Sequence, residues 1–235
     1  MHITGFHRLD EGPAVQVSVH HGDDPRMLLW SRGWAVTHWL SATGRDEDIC
    51  LAAQVRRRTP TTRLPRRHGL HALSDACPAP GEVPVPHQRI AAYAVVRSNR
   101  GLLGTMCSDR TAVPGRWQLP GGGLERGETP SEAVIREIEE ETAQHVHLLR
   151  VVDLQSDHWV GRSPEGKLED FQALRIIYTA VCPDPTAPRV LDVGGTTQTA
   201  RWVSMRHWRA LPWTSGARSA LDKYLDTVRD PRLAS

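Results

Sequence analysis

The sequence predicts an α/β fold for residues 88–230, with a mixed sheet flanked by helices. Two observations support this class. Apolar, β-prone runs recur along this region, and two segments with helical spacing interleave with them, one mid-chain and one near the end. Strands that alternate with helices in this way are typical of an α/β arrangement, in which helices cover the sheet.

Five strands are predicted from short runs of apolar and β-branched residues bounded by turn residues. The first two are joined by the tight turn Asn99-Arg100-Gly101 and form a hairpin-like pair. The predicted strands cover residues 89–97, 102–106, 146–155, 171–182 and 199–205.

The mid-chain helix has the clearest local signals. Thr129 is placed as N-cap, Pro130 at the first helical position and Glu132 at the third, which completes a capping box. The helix is predicted to end near Ala143. A second amphipathic helix is predicted over residues 217–228, where apolar residues recur at helical spacing.

Composition narrows the class of protein. The chain has 235 residues, with 29 Lys and Arg against 27 Asp and Glu, so its formal charge is +2. This near-neutral balance argues against bulk attraction to nucleic acid or membrane. The four cysteines are far apart and form no metal-ligand pair, which indicates reduced thiols. No signal-like start and no long apolar run is found, so we expect a cytoplasmic protein.

Residues 60–87 read as a linker rich in proline and arginine. Prolines at this density disfavour helices and strand ladders. The segment between Asp48 and Asp75 contains six arginines and no acidic residue. A solvated linker is the preferred interpretation, and a basic arm that contacts phosphate is the alternative.

Residues 1–59 carry no chemical motif and are predicted to be an N-terminal extension or small subdomain of unknown fold and role. The favoured expectation is a separable appendage, so that a fragment starting near His87 folds and stays active. The competing expectation is that the tryptophan-rich stretch 27–40 packs on the main domain.

Three glutamates of the mid-chain helix form a candidate metal site. Glu137, Glu140 and Glu141 stand at positions i, i+3 and i+4, which places their carboxylates on one helix face, whereas Glu139 points elsewhere. Clustered hard oxygen ligands suit magnesium or manganese, which usually also contact a substrate phosphate.

Neighbouring residues fit a supporting role. An Arg136–Glu128 pair is expected to clamp the glycine loop 121–123 to the helix, and the glycines allow close backbone approaches. A solvated acidic helix behind a glycine-rich turn is the simpler interpretation. The joint spacing of glycine, arginine and glutamates favours the metal site.

This spacing resembles the signature of the Nudix hydrolases, G-x5-E-x7-R-E-U-x-E-E-x-G-U, where U is bulky and aliphatic. Every charged position is matched, and the matched residues are Gly122, Glu128, Arg136, Glu137, Ile138, Glu140 and Glu141. The chain departs from the signature only at its end, where Ala143 replaces the last glycine and Gln144 the aliphatic residue. This departure affects the backbone conformation of the loop after the helix more than the metal-binding residues.

The resemblance implies an α/β/α sandwich and a pyrophosphohydrolase that uses Mg²⁺ or Mn²⁺. The substrate class is a nucleoside diphosphate linked to another group, as in a nucleotide sugar, a dinucleotide or a nucleoside triphosphate. Glu137 and Glu141 are implied metal ligands, and Glu140 is either a third ligand or the base. Arg136 belongs to the same catalytic set, and Gly122 and Gly123 shape the loop beside it.

A further carboxylate outside the signature is expected from the loop 161–172. Glu169 and Asp170 are the candidates, and a solvated hairpin loop explains these acids equally well.

Two other functions stay open. A Nudix-like protein that senses a nucleotide and regulates a partner is the main alternative, and a Nudix-fold isomerase of prenyl diphosphates ranks last. The expected partner is a small-molecule nucleotide. Nucleic acid and membrane are not expected, and a homodimer is left open.

Overall fold

The computed structural model describes residues 1–65, 79, 81–163 and 166–225. A seven-stranded sheet forms the centre of the C-terminal part. Its strands are β5 Val85–Ser98, β6 Gly101–Cys107, β7 Trp117–Gln118, β8 Gly121–Gly123, β9 His147–Arg162, β10 Leu168–Val181 and β11 Thr197–Val203. The main strand order is β11-β6-β5-β10-β9, with β7 paired to β6 and β8 paired to β5.

Two helices cover opposite faces of this sheet. Helix α2, Pro130–Thr142, shares a hydrophobic cluster with Ile176, and helix α3, Ser215–Tyr224, shares a second cluster with Ile177. Successive residues of a strand point to opposite faces, so the two helices lie on either side of β10. Since β5 and β10 are parallel and their other pairings are antiparallel, the predicted α/β fold with a mixed sheet is confirmed. Within the described ranges, no helix is long and apolar enough to cross a membrane.

The predicted linker extends too far. Strand β5 begins at Val85 and pairs with β10 from there, so the last part of the predicted 60–87 linker is strand. Pro86 is tolerated because it stands beside the first residue of the strand. Residues 66–78 and 80 of the linker, and the end of the predicted terminal helix, lie outside the described residues.

The N-terminal segment forms a second sheet. Its elements are β1 His2–Phe6, β2 Val15–Ser18, helix α1 Pro25–Ser31, β3 Trp34–Thr43 and β4 Cys50–Arg57. The strand order is β2-β1-β4-β3, with β1 and β4 parallel. Residues 60–65 follow without helix or strand.

The two sheets share one hydrophobic core. Trp34 and Trp39 of the N-terminal sheet belong to the same buried cluster as Ile138 of α2 and Leu154 of β9. This packing supports the competing expectation, in which the tryptophan-rich stretch docks on the main domain. It does not support a separable appendage.

Polar contacts reinforce this docking. Arg26 of α1 forms an ion pair with Asp153 of β9, which is fully buried, and Lys223 of α3 approaches the same carboxylate at 3.5 Å. On another side, Arg45 pairs with Glu132 of α2 at 2.9 Å. The N-terminal segment therefore contacts both the sheet and the signature helix.

Candidate active site

The glutamate-bearing helix begins and ends as its sequence predicts. The side chain of Thr129 accepts a hydrogen bond from the backbone N–H of Glu132, and the Glu132 carboxylate accepts one from the backbone N–H of Thr129. The capping box is therefore present. At the other end, Ala143 adopts the left-handed conformation with φ 54°, and its N–H donates to the carbonyl of Glu139.

The glycine strand β8 lies directly against this helix. A Cβ atom added at Gly122 would stand 2.4 Å from Oε1 of Glu137, so only glycine leaves room for that carboxylate. Gly121 has φ 136°, and a Cβ there would stand 2.2 Å from the carbonyl oxygen of Ala92 on β5. Glycine is thus required at Gly122 for the packing of β8 against α2, and at Gly121 for its packing against β5.

Arg136 connects the helix to the loop before it. Its guanidinium donates to Glu128 at 2.7 and 2.9 Å, to the carbonyl of Gly123 at 3.1 Å, to Glu137 at 3.1 Å and to Glu140 at 3.0 Å. The bonds from Arg136 lower the pKa of Glu128, and the carboxylates raise that of Arg136. These contacts place the arginine as a positioning residue for the glutamates.

Glu141 is the most buried member of the cluster. One of its oxygens accepts the backbone N–H of Gly121 at 2.9 Å, and the other accepts the hydroxyl of Thr197 on β11. Burial raises its pKa to about 8, and the neighbouring charges of Glu137 and Glu140 add to this rise. The two hydrogen bonds oppose the rise but do not cancel it.

Glu137 and Glu140 lie on the same face of α2 as Glu141 and are more exposed to solvent than it is. Burial also raises the pKa of Glu137, while Arg136 opposes that rise. Glu140 is more open to solvent, with 43% of its side chain exposed against 19% for Glu137. Glu139 is exposed and belongs to another face of the helix. The predicted trio is therefore brought together.

The candidates for a further carboxylate lie elsewhere. Strand β5 pairs with both β8 and β10, and along it Asp170 is opposite Pro86, whereas Gly122 is opposite Ala92. Six residues of strand separate these positions by roughly 20 Å. Glu169 contacts His87 instead, at 3.3 Å. The structure does not bring Glu169 and Asp170 to the glutamate cluster, because the strand register directs them to the far end of β5.

Three residues beside the glutamates were not predicted. A Cβ at Gly123 would stand 3.2 Å from the guanidinium of Arg89, and the charge of Arg89 acts on Glu137. Tyr93, which is opposite Gly121 in the pairing of β5 with β8, has its pKa raised by burial. The third is Thr197. The alternation of the 89–97 strand could have indicated that Arg89 and Tyr93 share a face, but nothing local indicated Thr197.

The sequence model of the NUDIX domain matches residues 87–224 of this chain. The chain belongs to the Nudix family. Its N-terminal sheet precedes the matched region. The family assignment that the signature predicted is thereby confirmed, and the chain is a Nudix pyrophosphohydrolase.

Curated relatives of this Nudix hydrolase include enzymes named nucleoside triphosphatase NudI. One from Enterobacter sp. (strain 638) is 30% identical over 134 residues, covering 56% of this chain and 92% of that relative. Another, from Escherichia coli O139:H28, is 32% identical over 104 residues, covering 43% of this chain and 71% of that relative.

Solved structures with a similar fold include a NUDIX hydrolase from Nitrosomonas europaea. It is 22% identical, with a TM-score of 0.46, and the alignment covers 60% of this chain and 90% of that one. A MutT protein from Methanosarcina mazei Go1 is 18% identical, with a TM-score of 0.47, covering 63% and 100% of the two chains.

Gln144, one of the two departures from the Nudix signature, contacts the loop after β10. The Gln144 side chain is buried, donates to Thr186 at 2.8 Å and accepts the backbone N–H of Thr186 at 2.9 Å. Ala143 keeps the left-handed exit that glycine adopts more easily. The helix thus ends in the left-handed conformation with alanine in place of the signature's last glycine.

Proposed function

We propose that this Nudix hydrolase cleaves a phosphoanhydride bond in a nucleotide, with Mg²⁺ or Mn²⁺ held by Glu137, Glu140 and Glu141. The observation that carries the proposal is the convergence of three carboxylates on one face of α2, one of them buried against the glycine strand. When bound, a divalent cation neutralises phosphate charge and lowers the pKa of an attacking water.

The residues fit such a cation. Glu137 and Glu141 both have raised pKa values, which means that the site as built stabilises their ionised forms poorly. Arg136 contacts Glu137 and Glu140, and Glu141 receives only neutral donors from Gly121 and Thr197. Clustered carboxylate oxygens with incomplete charge compensation are what hard cations such as Mg²⁺ and Mn²⁺ bind.

The chain's own groups have distinct tasks in this proposal. Arg136 holds Glu137 and Glu140 in place through its bonds to the loop. Glu140, the most exposed of the three, is the candidate to accept a proton from water, and a role as third ligand is the alternative. Arg89 stands beside the glycine strand, where its guanidinium can orient a phosphate group.

Nucleoside triphosphates are the first substrates to test. The similar enzymes from Enterobacter and Escherichia are named nucleoside triphosphatases, and the Nudix domain is the part of this chain that the family match covers. Nucleotide sugars and dinucleotides share the same diphosphate group and belong in the same screen.

The test is a hydrolysis screen over these three substrate classes with Mg²⁺, Mn²⁺ or a chelator, with products identified by chromatography. We expect turnover only with metal. Glu141→Gln removes one charge at nearly constant volume, and it should lower kcat/KM at least ~100-fold. Glu139→Gln, the same change on an exposed face of the same helix, is the matched control and should retain activity.

Two results would contradict the proposal. Wild-type turnover in Glu141→Gln would exclude that residue as a ligand. Tight nucleotide binding without turnover on any substrate would instead favour the sensor hypothesis.

A further inference from the structure

A second group of potential metal ligands lies where the N-terminal segment meets the sheet. His21 follows β2 in the turn before α1, His158 belongs to β9, and Asp170 lies near the start of β10. In the antiparallel pairing of β9 with β10, His158 is opposite Gln172 and Asp170 is opposite Val160. His158 and Asp170 are therefore diagonal neighbours on one face of the sheet, within reach of each other.

The turn that carries His21 is fixed to the same sheet. The buried side chain of Gln172 accepts the backbone N–H of Gly22 at 2.9 Å and donates to the carbonyl of Asp23 at 2.6 Å. Gly22 has φ 84°, and a Cβ there would lie 3.5 Å from the His158 ring. The glycine thus lets the turn approach His158 closely, and Gln172 holds His21 beside it.

The potential ligand atoms of the three residues lie close together. Nε2 of His158 lies 2.5 Å from Oδ1 of Asp170, and Nε2 of His21 lies 3.2 Å from Oδ2. All the ligand atoms lie within 4.8 Å of one another. Ligands bound at about 2.0–2.1 Å around a tetrahedral metal are separated by about 3.4 Å, so only small side-chain shifts are needed.

The hydrogen bonds at this cluster leave Nε2 of His21 without a hydrogen-bond partner in the described part of the chain. The Asp170 carboxylate accounts for His158. Oδ2 of Asp170 lies 3.2 Å from Nε2 of His21 but not in hydrogen-bond geometry, so among the described residues no group forms a hydrogen bond with this nitrogen, which is buried from solvent. The two imidazole rings meet edge to face, at 89° with centroids 5.5 Å apart, and this contact supplies no hydrogen bond to Nε2 of His21. A buried nitrogen without a hydrogen-bonding partner costs free energy, which coordination to a metal would remove.

We propose that His21, His158 and Asp170 bind one divalent transition-metal ion, for which zinc is the best match. Two imidazole nitrogens and one carboxylate oxygen suit zinc, whereas magnesium and calcium prefer ligand sets made of oxygen alone. His158 keeps 40% of its side chain exposed, so water can complete the coordination. The ion ties the N-terminal segment to β9 and β10, and it lies roughly 20 Å along the sheet from the glutamate cluster.

This site is independent of the proposed hydrolysis and is tested without an activity assay. The Glu137→Gln/Glu141→Gln variant of the full chain, in which the glutamate cluster is weakened, is freed of metal and titrated with zinc by calorimetry. We expect one tightly bound equivalent and a higher melting temperature. His158→Ala, His21→Ala and Asp170→Asn should each weaken zinc binding at least about 10-fold and abolish the thermal shift.

His20→Ala is the matched control, because His20 lies in the same turn but is exposed, with 81% of its side chain open to solvent. This variant should bind zinc as the parent does. Titration of the Glu137→Gln/Glu141→Gln parent with cobalt gives a second readout. Its visible absorption bands report coordination by nitrogen and oxygen ligands, and this result does not depend on whether the other variants fold. Absence of both a stoichiometric zinc equivalent and these cobalt bands, or equal zinc affinity in the His158→Ala and His20→Ala variants, would overturn the proposal.

Discussion

Glu141 shows how one residue combines packing with chemistry. Its side chain is buried between the glycine strand and Thr197, and each carboxylate oxygen has one hydrogen-bond donor. Two neutral donors do not compensate for the loss of water around a full negative charge, so the protonated form is favoured until a cation is present.

The stability of the metal-free protein should therefore depend on pH. The pKa of Glu141 is about 8 in the folded chain against an ordinary value of 4.5. Between these values the folded state keeps a proton that the unfolded state releases, so this group lowers the free energy of unfolding as pH rises from about 4.5 to about 8. In chelator, Glu141→Gln should melt above wild type by a margin that widens across this window.

Differential scanning fluorimetry at several pH values measures this margin. Glu139→Gln should show no such widening, because its side chain is exposed. A constant difference between Glu141→Gln and wild type at all pH values would contradict the burial argument.

Ala143 gives a second prediction at the residue scale. It has φ 54° and ψ 36°, a conformation that costs an L-residue about 1–2 kcal/mol but not glycine. Ala143→Gly should raise the free energy of unfolding by on the order of 0.5–1 kcal/mol, after the greater backbone entropy of unfolded glycine is subtracted. Urea unfolding measures the change. Ala133→Gly inside the same helix should have the opposite sign, and a loss of stability at Ala143 would refute the explanation.

At the scale of the element, α2 and the glycine loop act as one unit through Arg136. The Arg136 side chain is about three-quarters buried, and its guanidinium donates hydrogen bonds to three carboxylates and one carbonyl. Its removal leaves Glu128, Glu137 and Glu140 with less positive charge nearby, and the loop loses its bond to the helix.

Arg136→Ala should therefore reduce both activity and stability. We expect a loss on the order of 2 kcal/mol in the metal-free protein, measured by urea unfolding, because partly buried carboxylates lose their partner. Arg126→Ala, at an exposed position of the same loop, is the control. If activity vanished while the melting temperature stayed unchanged, Arg136 would have a direct catalytic role rather than a positioning one.

At the scale of the whole molecule, the N-terminal sheet completes the core of the Nudix domain. It covers residues of β9 and α2, and Arg26 is an ionic partner of the fully buried Asp153. Removing residues 1–86 would expose this apolar face and leave Asp153 with Lys223 as its cationic neighbour among the residues that the structure describes.

We therefore expect a fragment of residues 87–235 to be insoluble or much less stable than the full chain. Expression, size-exclusion chromatography and thermal melting measure this. Mixing the fragment with a separately produced 1–65 segment should restore part of its stability, since the interface is apolar. A soluble and active 87–235 fragment would instead establish the separable appendage that the proline-rich linker suggested.

The sequence by itself determined the parts of this protein whose contacts are local. The capping box, the helix over Pro130–Thr142, the face shared by the three glutamates and the Arg136–Glu128 clamp all join residues a few positions apart. Helical spacing fixes the face that the glutamates share, and the capping box and the Arg136–Glu128 pair lie within the same short segment, so their pattern could be interpreted without the rest of the chain.

Only the tertiary structure decided the contacts that cross between elements. Thr197 binds Glu141 from 56 residues away, His21 meets His158 and Asp170, and the N-terminal sheet docks on β9. An alternating pattern tells which residues share a face of a strand, but it does not set the register between strands. That register places Asp170 at the far end of β5 from the glycine strand, because side chains distant in sequence meet only where the paired backbones align them.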